Sequence, residues 1–133
     1  MATLSKQIAI DSGAANVWSA IRDFGQVHTR VAPGFLTRLE MDKGDRVITF
    51  FNGMVARELL VDCDDAKRRL VYAVISERLK QHSASVQIFA ESDGRSRLAW
   101  TVDVLPHEIA PYMNAQMDQA ALAMQKALGR SAA

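Results

Sequence analysis

Cysteine is almost absent from the sequence, and long apolar runs are absent altogether. The single cysteine, Cys63, cannot form an internal disulfide, which is typical of a reducing compartment and of a fold that needs no covalent cross-link. No apolar stretch approaches the roughly 20 residues that a membrane-spanning helix requires. Residues 1–7 also lack the basic-then-apolar order of a signal peptide. We therefore expect a cytoplasmic protein with no integral membrane segment.

An excess of charge of one sign is also missing, because 16 basic residues against 15 acidic ones leave a net charge of +1. Such a balance provides no electrostatic field that would hold a polyanion, so nucleic acid is not an expected partner. The basic triplet at residues 67–69 directly follows Asp64 and Asp65, a pattern typical of a solvated turn.

Motifs for metals, nucleotides and covalent intermediates are missing too. The three histidines lie far apart and lack the spacing of metal ligands. Neither a glycine-rich phosphate loop nor a Ser or Cys nucleophile motif occurs. We therefore expect no metal site and no cofactor, while a homodimer is compatible with the sequence.

Hydrophobic periodicity runs along the whole sequence and predicts one domain over residues 1–133. Alternation of apolar and polar residues predicts strands, and apolar spacings of three and four predict helices. The predicted order is a strand at 3–10, a short helix at 14–24, strands at 35–42, 46–51, 54–62, 70–76, 81–91 and 97–104, and a helix at 111–128. Because short loops join consecutive strands of the central run, these strands must be antiparallel.

Turn and cap residues mark several of these boundaries. Asn52-Gly53 between two strand-like runs predicts a hairpin with a type I′ turn, since both residues tolerate positive φ. Ser12 is expected as the N-cap of the first helix, and Gly129 as the C-terminal stop of the last one. The segment 26–34 has no clear period and is predicted to be irregular.

These elements predict an α+β fold in which six to seven antiparallel strands curve around the long C-terminal helix, with short helices after the first strand. A curled sheet leaves space between its concave face and a straight helix. Toward that space the helix presents small or pliable side chains, namely Met113, Met117, Ala120, Ala121 and Met124. Methionine adapts to varied apolar ligands, so the stripe fits a ligand cavity, although it also fits an ordinary packed core.

Strand parity selects candidate cavity residues. Glu58 alternates with apolar neighbours, which places its carboxyl inward as a general acid or base; the alternatives are pairing with a cross-strand base such as Arg46 or a place at an exposed edge. His82 likewise shares its strand face with apolar residues, and it is either a proton shuttle or a hydrogen-bonded core residue. The buried Tyr72 hydroxyl is expected to bond Glu58. Trp100 is expected in the core and as a cavity wall.

Two further groups complete the expected site. Phe35, at the start of the second predicted strand, is expected to line the cavity. His28 and Arg30 lie in the irregular segment and are expected near the entrance, where polar groups select or gate ligands. The alternative for these two residues is an ordinary exposed loop.

Four sequence pieces resemble the START-like superfamily, also called SRPBCC, and within it the polyketide cyclase/dehydrase-type proteins. They are the strand-to-helix entry ending in Val-Trp at 10–18, Asp-Phe-Gly at 23–25 with Pro-Gly at 33–34, the Asn-Gly and Asp-Asp turns with their strands at 52–72, and Leu-Ala-Trp-Thr at 98–101. Together they span roughly residues 3–128. Family members often carry a tryptophan shortly before the Pro-Gly, and residues 29–32 lack one, so the mouth is expected to be less aromatic.

The resemblance implies a helix-grip fold that binds a lipid, polyketide, aromatic or isoprenoid compound between the sheet and the helix. One alternative is a metal-free cyclase or dehydratase, a lyase or isomerase for which Glu58 and His82 are the candidate acid/base pair. A second alternative is a chaperone-like module whose helix and loops contact another protein.

Overall fold

The computed structural model describes residues 2–130, the side chain of Arg130 excepted, so the predicted domain ends at 1 and 133 lie outside the described residues. Short 3₁₀ turns precede the second and third α-helices. The elements are β1 (Ala2–Ile10), α1 (Ala14–Arg22), α2 (Val27–Arg30), β2 (Leu36–Asp42), β3 (Asp45–Phe50), β4 (Val55–Asp64), β5 (Arg69–Ile75), β6 (Gln81–Ala90), β7 (Ser96–Leu105) and α3 (Ala110–Arg130).

The strands form a seven-stranded antiparallel sheet in the order β1-β7-β6-β5-β4-β3-β2. Strands β2 to β7 follow one another as a meander, and β1 pairs with β7. Alternation is strict along β7, where Leu98, Trp100, Val102 and Val104 are buried. The curved sheet and the long helix confirm the predicted helix-grip fold.

The helix α3 packs along the concave face of the sheet, and its buried side chains include Met117, Ala120 and Leu128. Two polar contacts tie it to β1. Lys6 Nζ lies 2.7 Å from Asp118 Oδ1, and the Gln125 side chain donates to the Ala9 carbonyl at 3.1 Å. Among residues 2–130, no helix is both long and apolar enough to cross a membrane.

The Asn52-Gly53 hairpin is confirmed, but its turn is not of type I′. Gly53 has a φ of +86°, whereas Asn52 does not have a positive φ. The Gly53 amide donates to the Phe50 carbonyl at 2.9 Å, and the Phe50 amide donates to the Met54 carbonyl at 2.8 Å. This is the three-residue loop built on a type I turn. Two consecutive positive φ values, 54° and 87°, occur instead at Lys43-Gly44.

The predicted helix ends also need correction. The N-cap of α1 is Gly13, whose carbonyl accepts the Val17 amide at 3.1 Å, while Ser12 is buried. Gly129 lies inside α3, which includes Arg130, so Gly129 is not the residue at which the helix stops. The segment 26–34 is not wholly irregular, since it contains α2.

A polar contact joins α1 to the turn between β4 and β5. Trp18 Nε1 and Arg22 Nε each donate to Asp65 Oδ1 at 2.8 Å. The hydrogen bond from Arg22, and to a smaller extent that from Trp18, lowers the pKa of the Asp65 carboxyl. Trp18 and Asp65 belong to two of the sequence pieces that carry the family resemblance, and the fold brings these pieces into contact.

Candidate functional site

A cavity of about 390 Å³ lies between the concave face of the sheet and α3. Its wall is mostly apolar. The methionines of α3 are part of this wall, and they therefore border open space as well as the packed core. The residues that were predicted to line it all lie on its wall: Phe35, Glu58, Tyr72, His82, Trp100, Met113, Met117 and Met124. The fold therefore brings these side chains together, and their role in binding stays a prediction.

Glu58 and Arg46 form a buried ion pair on the cavity wall. They are cross-strand partners on β4 and β3, and Arg46 Nε and Nη2 each lie 2.7 Å from Glu58 Oε1. Arg46 Nη1 also donates to the Phe24 carbonyl at 3.2 Å, and its guanidinium carbon lies 3.9 Å from the centre of the Phe24 ring. Glu58 thus points inward and pairs with Arg46, which combines two of the predicted alternatives.

Tyr72 bonds to Trp100, not to Glu58 as the sequence predicted. Trp100 Nε1 donates to the Tyr72 hydroxyl oxygen at 3.2 Å, and both side chains are buried. Glu58 is instead paired with Arg46, whose guanidinium carbon lies 5.2 Å from the centre of the Tyr72 ring. Burial raises the pKa of Tyr72 well above its usual value, and the charge of Glu58 raises it further. The hydroxyl is therefore neutral at physiological pH.

His82 faces the cavity from β6, and its ring has no hydrogen-bond partner in the described part of the chain. Both ring nitrogens are buried, and neither bonds to any of residues 2–130. Burial alone lowers the pKa of His82 to about 4, so the imidazole is neutral near pH 7. Because it does not contact Glu58, these two residues do not form a direct acid/base pair.

The mouth of the cavity lies between the β3–β4 turn, the β5–β6 loop and the start of α3. Its lining residues there include the exposed side chains of Asn52, Val55, Arg78 and Tyr112. The Tyr112 hydroxyl lies 3.7 Å from Met54 Sδ and so connects the helix to the β3–β4 turn. Solvent therefore reaches the cavity from one end.

His28 and Arg30 are not among the residues that line the cavity, and their place near its entrance stays a prediction. Arg30 instead turns toward α1, where its Nη1 donates to Asp23 Oδ2 at 3.0 Å and to the Ser19 carbonyl at 3.2 Å. His28 is half-buried on α2. Its neighbours Val27 and Ala32 do line the cavity.

Sequence reasoning missed Tyr112 at the mouth and Arg46 as a member of the wall. Tyr112 directly follows Pro111 in the first turn of α3. An aromatic residue at that position was the sequence feature that could have indicated the mouth. Within residues 2–130, no three His, Cys, Asp or Glu side chains gather closely enough to hold a metal ion.

The fold is similar to those of several solved proteins. The protein XoxI from Bacillus cereus gives a TM-score of 0.85 at 16% identity, with 96% of each chain covered. A START superfamily protein from Mycobacterium smegmatis gives 0.71 at 13% identity, covering 98% of this chain and 96% of that one. Norcoclaurine synthase from Thalictrum flavum, in complex with dopamine and hydroxybenzaldehyde, gives 0.72 at 14% identity, covering 97% of this chain and 84% of that one.

At these identities the likeness to solved structures shows the fold alone. No curated protein matches the sequence. A family model described as polyketide cyclase / dehydrase and lipid transport matches residues 1–133, which confirms the resemblance found in the sequence. The chain therefore belongs to the polyketide cyclase / dehydrase and lipid transport family.

Proposed function

We propose that this protein binds a small hydrophobic molecule, of lipid, polyketide, aromatic or isoprenoid type, in the cavity between the sheet and α3. The observation that carries the proposal is the open space itself. About 390 Å³ is left where Trp100, Phe35 and the methionines of α3 would otherwise meet. A volume of this size, bordered mostly by apolar side chains, is typical of small-molecule sites.

The apolar wall favours a hydrophobic ligand, because moving apolar ligand surface from water into the cavity lowers the free energy in proportion to the area moved. Met113, Met117 and Met124 border the cavity from the helix side, and their flexible side chains adapt to different ligand shapes. The exposed mouth beside Tyr112 supplies an entry path.

A thermal-shift screen of lipids, polyketides, aromatics and isoprenoids tests the proposal. A ligand that binds only the folded state stabilises it by about 2.7 kcal/mol at a free concentration one hundred times its Kd. We expect at least one hydrophobic class to raise the melting temperature in a concentration-dependent manner. The absence of any shift across all four classes would contradict the proposal.

A cyclase or dehydratase activity is the alternative that the cavity also supports. His82 supplies a neutral imidazole, the form that accepts a proton. Glu58 is already engaged, because Arg46 contacts its carboxylate from two nitrogens. The alternative therefore depends on His82, and a His82→Phe variant that retains full turnover of a converted compound would rule it out.

The partner-binding alternative, the homodimer and the cytoplasmic location stay proposals. Light scattering after size-exclusion chromatography tests the homodimer, and a molar mass that stays at that of one chain across concentrations would contradict it.

A further inference from the structure

His82 is a polar residue of the cavity wall whose hydrogen-bonding capacity is unused. Both ring nitrogens are buried, and neither has a partner among residues 2–130. Buried polar atoms in folded proteins nearly always have a partner, because an unpaired one loses its bonds to water without replacement. A polar group on a bound molecule would supply what the protein does not. His82 is therefore a polar contact point for the contents of the cavity.

Glu58 provides a second contact point on the same wall. Both close contacts from Arg46 are to Oε1, and none of the described residues bonds to Oε2. Since Glu58 lines the cavity, Oε2 can accept a hydrogen bond from a molecule inside it. The ion pair with Arg46 fixes the carboxylate in this position.

The sheet register sets the spacing between these two points. Glu58 on β4 pairs with Val74 on β5, and the Ala73–Ser83 pair places His82 on β6 next to Val74. Two strand spacings of about 4.8 Å therefore separate the backbones of Glu58 and His82, roughly 10 Å in all. Apolar wall lies between them, including Val74 itself. The wall thus presents polar, apolar and polar surface in succession.

The chemistry of the two side chains selects matching groups. Burial holds the pKa of His82 at about 4, so its neutral ring offers one donor and one acceptor. A hydroxyl group satisfies either nitrogen. The Glu58 carboxylate only accepts, so it requires a donor, and a ligand carboxylate there would meet like charge.

We propose that the cavity takes an uncharged, largely apolar molecule with a hydroxyl group at each end, one bonded to His82 and the other to Glu58. This inference rests on the proposed function, since it specifies the ligand class of the same cavity.

A series of rigid biphenyls tests the inference on the intact protein. Biphenyl, 4-hydroxybiphenyl, 4,4′-dihydroxybiphenyl and biphenyl-4-carboxylate share one apolar body and differ only at their ends. Their Kd values are measured by isothermal titration calorimetry at pH 7. We expect each added hydroxyl to tighten binding about threefold to tenfold, as one net hydrogen bond would. The carboxylate is expected to bind more weakly than 4-hydroxybiphenyl.

Variants assign each hydroxyl to its partner. In His82→Phe, which keeps a ring of similar size, the diol is expected to bind no more than about twofold better than the mono-alcohol. The control His107→Phe changes an exposed histidine outside the cavity and should keep the full gain. Glu58→Gln should reduce the gain as well, and circular dichroism checks that this variant is folded. Should it not fold, the series on the unaltered protein still decides.

The outcomes separate this inference from the proposed function. Equal affinities for biphenyl and its diol would overturn the inference and leave hydrophobic binding in place. Tighter binding of the carboxylate than of the diol would also overturn it. Failure of the diol to bind contradicts the inference in every case, and the behaviour of biphenyl and of the wider hydrophobic panel then decides whether the proposed function fails too.

Discussion

Arg46 and Glu58 face each other across β3 and β4, with both Nε and Nη2 of the arginine 2.7 Å from the same carboxylate oxygen. Both side chains are buried, at 4% and 7% exposure of the residue. A buried ion pair adds little net stability, but the loss of one partner leaves an uncompensated charge in a low dielectric. The pair therefore makes the cavity wall sensitive to substitution.

Glu58→Ala is expected to lower the free energy of unfolding by about 3–5 kcal/mol, because the Arg46 guanidinium stays buried without its partner. Urea denaturation measures the change. As a control, Glu40→Ala removes the partner of Arg38 in an exposed pair and should alter the stability by less than about 0.5 kcal/mol. Similar effects from the two substitutions would contradict the role of burial.

His82 predicts a pH dependence of stability. Burial places its folded pKa at about 4, below the value of 6.5 in the unfolded chain. Between these two pH values the unfolded state binds more protons, so stability is complete above pH 6.5 and is lost as the pH falls toward 4. We expect this group to lower the free energy of unfolding by about 2 kcal/mol between pH 7 and 4.5.

Urea titrations of the unaltered protein and of His82→Phe across that range isolate the contribution. The free energy of unfolding of His82→Phe should lack this dependence on pH. His107→Phe, at an exposed position, should keep it. If His82→Phe follows the pH profile of the unaltered protein, the burial of His82 is not as described.

The two tryptophans allow ligand entry to be followed by fluorescence. Trp100 lines the cavity, whereas Trp18 bonds to Asp65 outside it. In Trp18→Phe, a hydrophobic ligand should shift or quench the emission of Trp100. In the reciprocal variant Trp100→Phe, the emission of Trp18 should not respond, and a response from Trp18 alone would place the ligand elsewhere.

The β3–β4 hairpin beside the mouth depends on Gly53. Its φ of +86° disfavours any side chain, so Gly53→Ala is expected to lower the free energy of unfolding by about 1 kcal/mol. Gly25→Ala is the matched control, since Gly25 does not have a positive φ and the added carbon would meet only ordinary contacts with the Met41 side chain. Thermal unfolding compares the two variants, and equal melting temperatures would contradict the turn geometry.

The fold could be predicted because its signals are local. Alternation along residues 97–104 identified the inward face of β7, and short loops required antiparallel pairing. The inward position of Glu58 also followed from alternation. Whether it would pair with Arg46 depended on the register between β3 and β4, which the sequence left open.

Other details depended on contacts between distant segments. The Tyr72 hydroxyl bonds to Trp100 two strands away, so proximity along neighbouring strands was a poor guide to its partner. The place of Arg30 near the entrance stays a prediction, and the sequence did not indicate that its guanidinium would bond to Asp23 and Ser19. The actual mouth combines the β3–β4 turn with Tyr112 of α3, and only the assembled fold brings these together.

The open cavity beneath α3 is the central claim, and a matched pair of substitutions on that helix tests it most directly. Ala120 is buried on the cavity wall, so Ala120→Phe should fill the space, whereas Ala115→Phe places the same ring on the exposed face. The measurement is the Kd of the neutral dye Nile red, followed by its fluorescence. We expect the unaltered protein and Ala115→Phe to bind the dye alike, and Ala120→Phe to bind it at least about tenfold more weakly, a difference of about 1.4 kcal/mol. Equal binding by all three proteins would contradict the claim.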